Sequence, residues 1–382
     1  MIYLDNSATT RPHDCVIERM AQSMREEYFN ASAAYAQAMR LEKKVDECRR
    51  TVAGTLGTDE ASICFTSGGT ESDNLALMGT AATWHQKGTI LISMVEHPAV
   101  YETVKRLEAQ GFEVKRMPVD EYGAVDLHAA EEMISENTLM ISCMHVNNET
   151  GAIQPIEEIS RRLKKANPNA CMHVDGVQGY LRVPVHMKKM GIDLYSLSGH
   201  KIHGPKGIGV LASCGKQKLN PQMTGGGQQK GLRSGTCDAP AILGLQEAVI
   251  HCGEEQRAAL RKMKCRLADN LKAVEGVFFN GPDPYDEERS APHILSVAFD
   301  GVRGEVLRNA LEGEGILVST GSACGSHKQK VSASLLAMGI KPERADGTIR
   351  VSLGQFNTLE EMDIAAEEML RIYKSLRRFQ RR

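Results

Sequence analysis

Short apolar runs alternate with segments of helical periodicity between about residues 62 and 213. Runs of β-branched and apolar residues are typical of strands that are buried on both faces, whereas apolar residues spaced three and four apart indicate covering helices. The predicted strands are 62–66, 89–94, 113–118, 139–145, 171–174, 194–196 and 207–212. The predicted helices are 40–56, 70–85, 98–110, 127–135 and 156–166. This alternation predicts an α/β fold with a mostly parallel, seven-stranded sheet between helices.

A different pattern begins near residue 244. A long charged helix is predicted over 244–274, and after it come strands at 293–299, 317–320 and 348–353 and helices at 304–313, 331–338 and 359–377. This order is typical of a smaller α+β unit. We therefore expect a large domain over 15–255 and a small domain made of 1–14 and 256–382.

The composition of the 382-residue chain excludes several classes of protein. Its 46 basic and 48 acidic residues leave no positive excess of the kind that binds DNA or an anionic membrane surface. The first residues have no basic leader, and no apolar run is long enough to cross a bilayer, so we expect a cytoplasmic protein. The ten cysteines include no C-x-x-C pair, which argues against a zinc site or a disulfide framework, and no metal site is predicted.

Reactive and hydrogen-bonding side chains follow several of the predicted strands. Ligands of open α/β sheets bind beyond the carboxyl ends of the strands. The residues at those ends are Gly69, Thr70, His97, Asn148, Asp175, Gln178, Ser198, His200 and Lys201. Each of them alone is more often a cap, a turn or a solvated side chain. Together, a helix start that can bind phosphate, an aromatic base, a carboxylate, amides and an amine are typical of a pyridoxal phosphate site.

Six motifs follow one another along the chain, namely Asp5-Asn6-Ser7-Ala8-Thr9-Thr10, Thr66-Ser67-Gly68-Gly69-Thr70-Glu71-Ser72-Asp73-Asn74, His145-Val146-Asn147-Asn148-Glu149, Ser198-Gly199-His200-Lys201, Arg233-Ser234-Gly235-Thr236 and Ser322-Ala323-Cys324. In this order they resemble the motifs of the cysteine desulfurases, which are aminotransferase-like, fold-type I enzymes that use pyridoxal phosphate. The resemblance runs from Tyr3 to about Phe356. It implies a homodimer with active sites at the subunit interface.

The resemblance also implies a role for each site residue. The cofactor would be bound by Gly69, Thr70, His97, Asn148, Asp175, Gln178, Ser198, His200, Lys201 and, across the interface, Thr236 of the partner subunit. Lys201 would form the Schiff base and Asp175 would pair with the pyridine nitrogen, because a protonated ring withdraws electrons better. His97 would stack on the ring and transfer protons near neutral pH.

Two further residues would act on the substrate, L-cysteine. Arg350, together with Asn148, would bind its carboxylate, for which the planar guanidinium is suited. Cys324 lies among small and polar residues, and its thiolate would take the substrate sulfur as a persulfide and leave L-alanine. Its spacing from Leu336 resembles the subgroup with a long catalytic loop, which passes sulfur to an acceptor protein such as an iron-sulfur scaffold or a tRNA-thiolation enzyme.

Other functions are compatible with the same motifs. The fold also carries selenocysteine lyases and aminotransferases. A scaffold that binds the cofactor and mainly holds a sulfur-transfer partner is an alternative from a different class of protein. The presence of Lys201, Asp175, His97 and Cys324 argues against such a scaffold with a degenerate site.

Overall fold

The computed structural model describes residues 1–214, 217–321 and 331–380, without the side chains of residues 379 and 380. Its strands are β1 (Ile2–Tyr3), β2 (Ile63–Thr66), β3 (Thr89–Ser93), β4 (Glu113–Met117), β5 (Thr138–Met144), β6 (Cys171–Asp175), β7 (Leu194–Ser198), β8 (Gly209–Ser213), β9 (Val277–Asn280), β10 (Ile294–Phe299), β11 (Ile316–Leu317) and β12 (Thr348–Ser352). Its α-helices are α1 (Asp14–Glu26), α2 (Ala36–Leu56), α3 (Gly69–Ala81), α4 (Pro98–Ala109), α5 (Leu127–Met133), α6 (Ile156–Ala166), α7 (Met187–Met190), α8 (Ala239–Ile250), α9 (Glu254–Leu271), α10 (Gly304–Gly313), α11 (Ala333–Ala337), α12 (Pro342–Asp346) and α13 (Leu359–Gln380).

The largest sheet in the described part of the chain has seven strands in the order β2-β8-β7-β6-β5-β3-β4. The pairs among β7, β6, β5, β3 and β4 are parallel, whereas β8 runs antiparallel to both β2 and β7. Helices connect the parallel strands. Residues 199–208 join β7 to β8 and are fewer than the roughly dozen or more that a parallel crossover needs, which agrees with the antiparallel direction of β8. The predicted mostly parallel, seven-stranded sheet is therefore confirmed.

The helices cover this sheet with apolar faces that the residue spacing predicts. On α2, Leu41, Val45, Cys48, Val52 and Leu56 are all buried in the core, at the three- and four-residue intervals of one helix face. Burying a leucine side chain stabilises a fold by about 1.5 to 3 kcal/mol. Packing of such faces therefore holds the helices against the strands.

A second core lies in the C-terminal part of the chain. There β12, β10 and β9 form an antiparallel sheet, on which α9, α10 and α13 pack through side chains that include Leu267, Leu311 and Met369. The first strand belongs here as well, because β1 pairs with β11. The domain boundaries at residues 14 and 255 stay predictions. None of the described helices is long and apolar enough to cross a membrane.

The long helix predicted over 244–274 is wrong. The chain forms two helices, α8 and α9, which are separated at residues 251–253. Gly253 has extended backbone angles, and its amide donates to the side-chain oxygen of Gln256 at 3.0 Å. This hydrogen bond caps the N-terminus of α9. The low helix propensity of glycine also favours a break at Gly253.

Candidate active site

A cavity of about 370 Å³ opens where β5, β6 and β7 end. Ten of the twelve predicted site residues line it, namely Gly69, Thr70, His97, Asn148, Asp175, Gln178, Ser198, His200, Lys201 and Arg350. Thr236 is exposed and does not line the cavity. Cys324 lies outside the described residues. The ends of the parallel strands and β12 of the smaller sheet thus bring together predicted site residues that are up to 281 positions apart in the chain, from Gly69 to Arg350.

Lys201 lies in a 3-10 turn directly after β7. Its Nζ donates hydrogen bonds to the carbonyl oxygens of Ser7 and Ala8, the latter at 2.9 Å. The amide of Gln178 donates to the same Ser7 carbonyl at 3.0 Å, and the Ser7 amide donates to the Ser352 hydroxyl at 2.8 Å. The N-terminal segment therefore forms one wall of the site and orients the lysine amine through backbone groups.

Asp175 is the last residue of β6 and is buried. Its Oδ1 accepts a hydrogen bond from the Val177 amide at 2.9 Å. Burial raises the pKa of this carboxyl, while His97 and Lys201 nearby lower it. A cationic ring nitrogen at this place would favour the charged carboxylate further, because an opposite charge stabilises the ionised form.

Two more buried carboxyl groups, Glu96 and Asp73, line the same cavity. Glu96 accepts hydrogen bonds from the Ser93 hydroxyl and from the Met144 amide, the latter at 2.8 Å. Burial raises the pKa of Glu96 to about 8, and burial followed by the charge of Asp175 raises the pKa of Asp73. Asp73, Glu96 and Asp175 share one site, so their charges repel one another. The carboxyl groups without a cationic partner therefore retain a proton most readily.

His97 caps the N-terminus of α4. Its Nδ1 accepts a hydrogen bond from the Ala99 amide at 3.1 Å, so a neutral ring carries its proton on Nε2. Burial lowers the pKa of this imidazole, Asp175 raises it and Lys201 lowers it. At neutral pH the side chain is therefore a neutral base with one fixed tautomer, which suits proton transfer and stacking on an aromatic ring.

Another group of residues in the cavity lining supplies hydrogen-bond donors. Gly69 and Thr70 open α3, whose first amides lack partners within the helix. A Cβ on Gly69 would lie 2.5 Å from Cγ2 of Val177, so only glycine permits this close approach. Ser198 ends β7, and burial lowers the pKa of His200 to about 4. With the carboxyl of Asp175 and the amine of Lys201, this donor set fits pyridoxal phosphate.

Arg350 is buried in β12 and is held by two acceptors. One Nη donates to the carbonyl oxygen of Asn148 at 2.9 Å and the other to Oδ1 of Asp5 at 2.7 Å. Its Nε is buried without a hydrogen-bond partner among the described residues. The guanidinium is therefore fixed in orientation and retains N–H donors that could bind a carboxylate.

Sequence reasoning missed several residues that contact the site. Asp5, Ser7 and Ala8 lie in a motif that resembles the family, but their own side chains and carbonyls received no role. Glu96 precedes His97 directly, and Glu149 follows Asn148. A backbone carbonyl that accepts a hydrogen bond cannot be recognised from the type of residue. A glutamate that follows a buried strand, such as Glu96, could have been predicted as a site residue.

The chain is similar to known proteins over almost its whole length. The family model described as aminotransferase class-V matches residues 2–364. Cysteine desulfurase IscS 1 of Archaeoglobus fulgidus is 38% identical, with 99% of this chain and 98% of that protein covered. Cysteine desulfurase IscS of Methanosarcina thermophila is 40% identical, with 98% and 93% covered.

Solved structures agree with these relatives. A NifS-like protein superposes with a TM-score of 0.90 at 38% identity, with 98% of this chain and 99% of that chain covered. A second structure, SspA in complex with cysteine, superposes with a TM-score of 0.82 at 32% identity, with 94% and 100% covered. The chain therefore belongs to the aminotransferase class-V family and, within it, to the cysteine desulfurases.

Proposed function

We propose that this chain uses pyridoxal phosphate to remove sulfur from L-cysteine, releases L-alanine and passes the sulfur on as a persulfide of Cys324. The observation that carries the proposal is the single cavity that contains Lys201, His97, Asp175 and Arg350. The relatives named cysteine desulfurases support the reaction, and the similar protein solved in complex with cysteine supports the substrate.

Each residue of the cavity has a task in this reaction. Lys201 would bind the cofactor covalently, Asp175 would pair with its ring nitrogen, and Gln178 would bond the ring hydroxyl. When bound, pyridoxal phosphate supplies a ring that withdraws electrons from the substrate. His97 would move protons through Nε2, since its Nδ1 is engaged by the Ala99 amide.

The substrate would be oriented by Arg350. The two hydrogen bonds to Asp5 and to the Asn148 carbonyl hold the guanidinium in one plane, and a bound carboxylate needs that plane for parallel N–H···O bonds. Asn148 lines the cavity beside it. Binding of the carboxylate at this end would direct the rest of the substrate toward the lysine.

Cys324 would perform the sulfur transfer. Its thiolate attacks the substrate sulfur, so that an S–S bond forms while the C–S bond breaks. The electron pair of the broken bond stays with the substrate carbon, which takes up a proton and becomes the methyl group of alanine. No external oxidant is needed, because the two electrons that sulfur loses when the S–S bond forms reduce the substrate carbon. The sulfur then remains on the enzyme as a persulfide until an acceptor removes it.

The proposal also includes the dimer, the sulfur acceptor and the cellular compartment. Thr236, which is exposed and outside its own cavity, would bind the cofactor phosphate in the partner subunit of a homodimer. The acceptor would be an iron-sulfur scaffold or a tRNA-thiolation enzyme, and the setting would be the cytoplasm.

Mass spectrometry after incubation with L-cysteine tests the reaction. We expect one additional sulfur on the peptide that contains Cys324, and alanine formation that is lost in Cys324→Ala but retained in the matched control Cys265→Ala. Visible absorbance of the purified protein should be altered in Lys201→Ala, because the covalent link to the cofactor is absent. Unchanged alanine formation in Cys324→Ala would refute the persulfide step, and turnover only with an added keto acid would indicate an aminotransferase.

A further inference from the structure

The start of α1 and the end of α8 meet at a junction whose residues lie outside the lining of the cavity. The two helices pack closely, because a Cβ on Gly244 would lie 2.7 Å from Cγ of Met20. Val16 on α1 and Ala248 on α8 are buried in the same core. The backbones that carry the side chains of this junction are therefore fixed relative to each other.

Three side chains of types that ligate metals come together at the junction. Cys15 belongs to α1, whereas Glu247 and His251 lie four positions apart at the end of α8, which places them on one helix face. One sulfur, one carboxylate oxygen and one ring nitrogen of this group all lie within 4.8 Å of one another. The Cys15 thiol is free, and it is half-buried like Glu247, while His251 is exposed. An ion in solution could therefore reach all three.

The imidazole of His251 is oriented by the backbone. Its Nδ1 lies 2.8 Å from the carbonyl oxygen of Glu247, and because a carbonyl can only accept, Nδ1 carries the proton of this hydrogen bond. In the neutral ring Nε2 then keeps its lone pair, and it lies 3.8 Å from Sγ of Cys15. Histidines that bind metals usually have this arrangement, in which the other ring nitrogen donates to a carbonyl or a carboxylate.

The ligand types and their spacing fit zinc. With Zn–S near 2.3 Å and Zn–N near 2.05 Å, tetrahedral coordination separates sulfur from nitrogen by about 3.6 Å, and the observed separation is 3.8 Å. Thiolate and imidazole are poor ligands for magnesium and calcium, which prefer oxygen. The ring of His13 lies 5.7 Å from that of His251, and burial lowers its pKa, so this neighbour is neutral at pH 7 and does not repel a cation.

We propose that Cys15, Glu247 and His251 bind one Zn²⁺, with water as the fourth ligand, and that the ion fastens the start of α1 to the end of α8. The lack of a C-x-x-C pair argues only against sites built from paired cysteines, whereas these ligands come from helices that are far apart in the chain. The His13 amide, just before Cys15, donates to the His203 carbonyl at 3.1 Å. The ion would thus stabilise a junction close to the turn of Lys201, whatever reaction takes place in the cavity.

Equilibrium dialysis of the full-length protein against Zn²⁺, in reducing buffer and without an affinity tag, tests the site. We expect one Zn²⁺ per chain with a Kd below about 1 µM, a limit that is weaker than the binding of structural zinc in small zinc domains. Cys15→Ser, Glu247→Gln and His251→Ala should each weaken binding by about tenfold or more, since even the loss of an outer partner of a ligand costs roughly 10- to 100-fold.

Two control variants separate this site from other thiols. Cys265→Ser removes another partly buried cysteine, and Cys324→Ala removes the thiol that is proposed to carry sulfur. Both should bind Zn²⁺ like the native protein. Far-UV circular dichroism without metal should be the same for all variants, which would show that weaker binding is not caused by unfolding.

Two further measurements report the ligands and the helix junction. Co²⁺, added in place of zinc, should give a sulfur-to-cobalt absorption band in the native protein that is absent in Cys15→Ser, and subtraction of the spectrum without Co²⁺ removes the absorption of the cofactor. Zn²⁺ should raise the unfolding temperature of the native protein and of Cys265→Ser, but not that of Cys15→Ser or His251→Ala, because only a protein that binds the ion in its folded state is stabilised by it.

Three results would overturn the proposal. Equal Zn²⁺ affinity in the native protein, Cys15→Ser and His251→Ala would show that these side chains are not ligands. Loss of binding in Cys324→Ala would place the ion at that thiol instead. A Kd of the native protein above about 1 µM would mean that exposed side chains bind zinc only adventitiously.

Discussion

Replacing Glu96 by glutamine should stabilise the protein in a manner that depends on pH. Glu96 is buried, and its Oε2 has no hydrogen-bond partner in the part of the chain that the structure describes. Oε1 accepts from the Ser93 hydroxyl and the Met144 amide, and a glutamine oxygen can accept from the same groups. The substitution therefore preserves the shape and the two acceptor contacts, and removes only the ability to ionise.

The magnitude follows from the raised pKa of this carboxyl. Burial moves the pKa of Glu96 from 4.5 to about 8, a difference of about 3.5 pH units that corresponds to about 5 kcal/mol. Between these two values the folded chain retains a proton that the unfolded chain has lost. The free energy of unfolding of the native protein therefore falls as pH rises from 4.5 to 8, and this contribution is constant above the folded-state pKa.

Urea denaturation of the cofactor-free protein at pH 5, 6, 7, 8 and 9 measures the effect. The free energy of unfolding of Glu96→Gln minus that of the native protein should grow by about 3 to 4 kcal/mol between pH 5 and pH 8. Carboxyls that do not interact with Glu96 contribute equally to both proteins and cancel. The Glu96 charge raises the pKa of Asp73, so loss of that charge changes the difference in the same direction at high pH. Glu157→Gln controls for the loss of one negative charge. A difference that stays the same at every pH would refute the reasoning, because it would mean that Glu96 ionises normally in the fold.

Three further changes give expected outcomes of their own. Lys264 is buried, and burial lowers its pKa to about 7. The free energy of unfolding of the native protein, measured by urea denaturation, should therefore rise relative to that of Lys264→Met as pH rises from 7 to 10.5. A rise as pH falls would contradict this reasoning. Gly69→Ala should weaken pyridoxal phosphate binding by tenfold or more in an absorbance titration, whereas Gly54→Ala, where an added Cβ meets no atom within 4 Å, should bind normally. Arg350→Lys should raise KM for L-cysteine about tenfold or more, because lysine cannot form two parallel bonds to a carboxylate; a normal KM would exclude Arg350 from substrate binding.

The periodic parts of the fold could be predicted from the sequence, and the irregular parts could not. The strand ending at Asp175 and the helix Ala36–Leu56 were recognised because their apolar spacing reports burial directly. The break between α8 and α9 was missed, since charged residues continue in a helical pattern across Gly253 and one glycine is tolerated in many helices. The strand Val277–Asn280 was missed as well, because four residues at the edge of a small sheet carry too little periodicity.

The residues of the site also include some that the sequence predicts and some that it does not. Side chains at the ends of parallel strands, such as Asp175 and Lys201, could be grouped in advance because the topology brings those ends to one edge. The contact between Lys201 and the carbonyls of Ser7 and Ala8 could not, because every residue has a carbonyl. The pair of Asp5 and Arg350 also escaped prediction, since nothing in the chain itself relates positions 345 residues apart.

That separation has a consequence for biosynthesis. Ribosomes add about 5 to 20 residues per second, so Asp5 is added to the chain roughly 20 to 70 s before Arg350. The seven-stranded sheet can form in that interval, but the wall that carries Ser7 and Ala8 cannot be fastened until Ser352 and Arg350 have emerged. A nascent chain therefore stays without a finished cofactor site until synthesis is nearly complete, and a prematurely terminated one never obtains it.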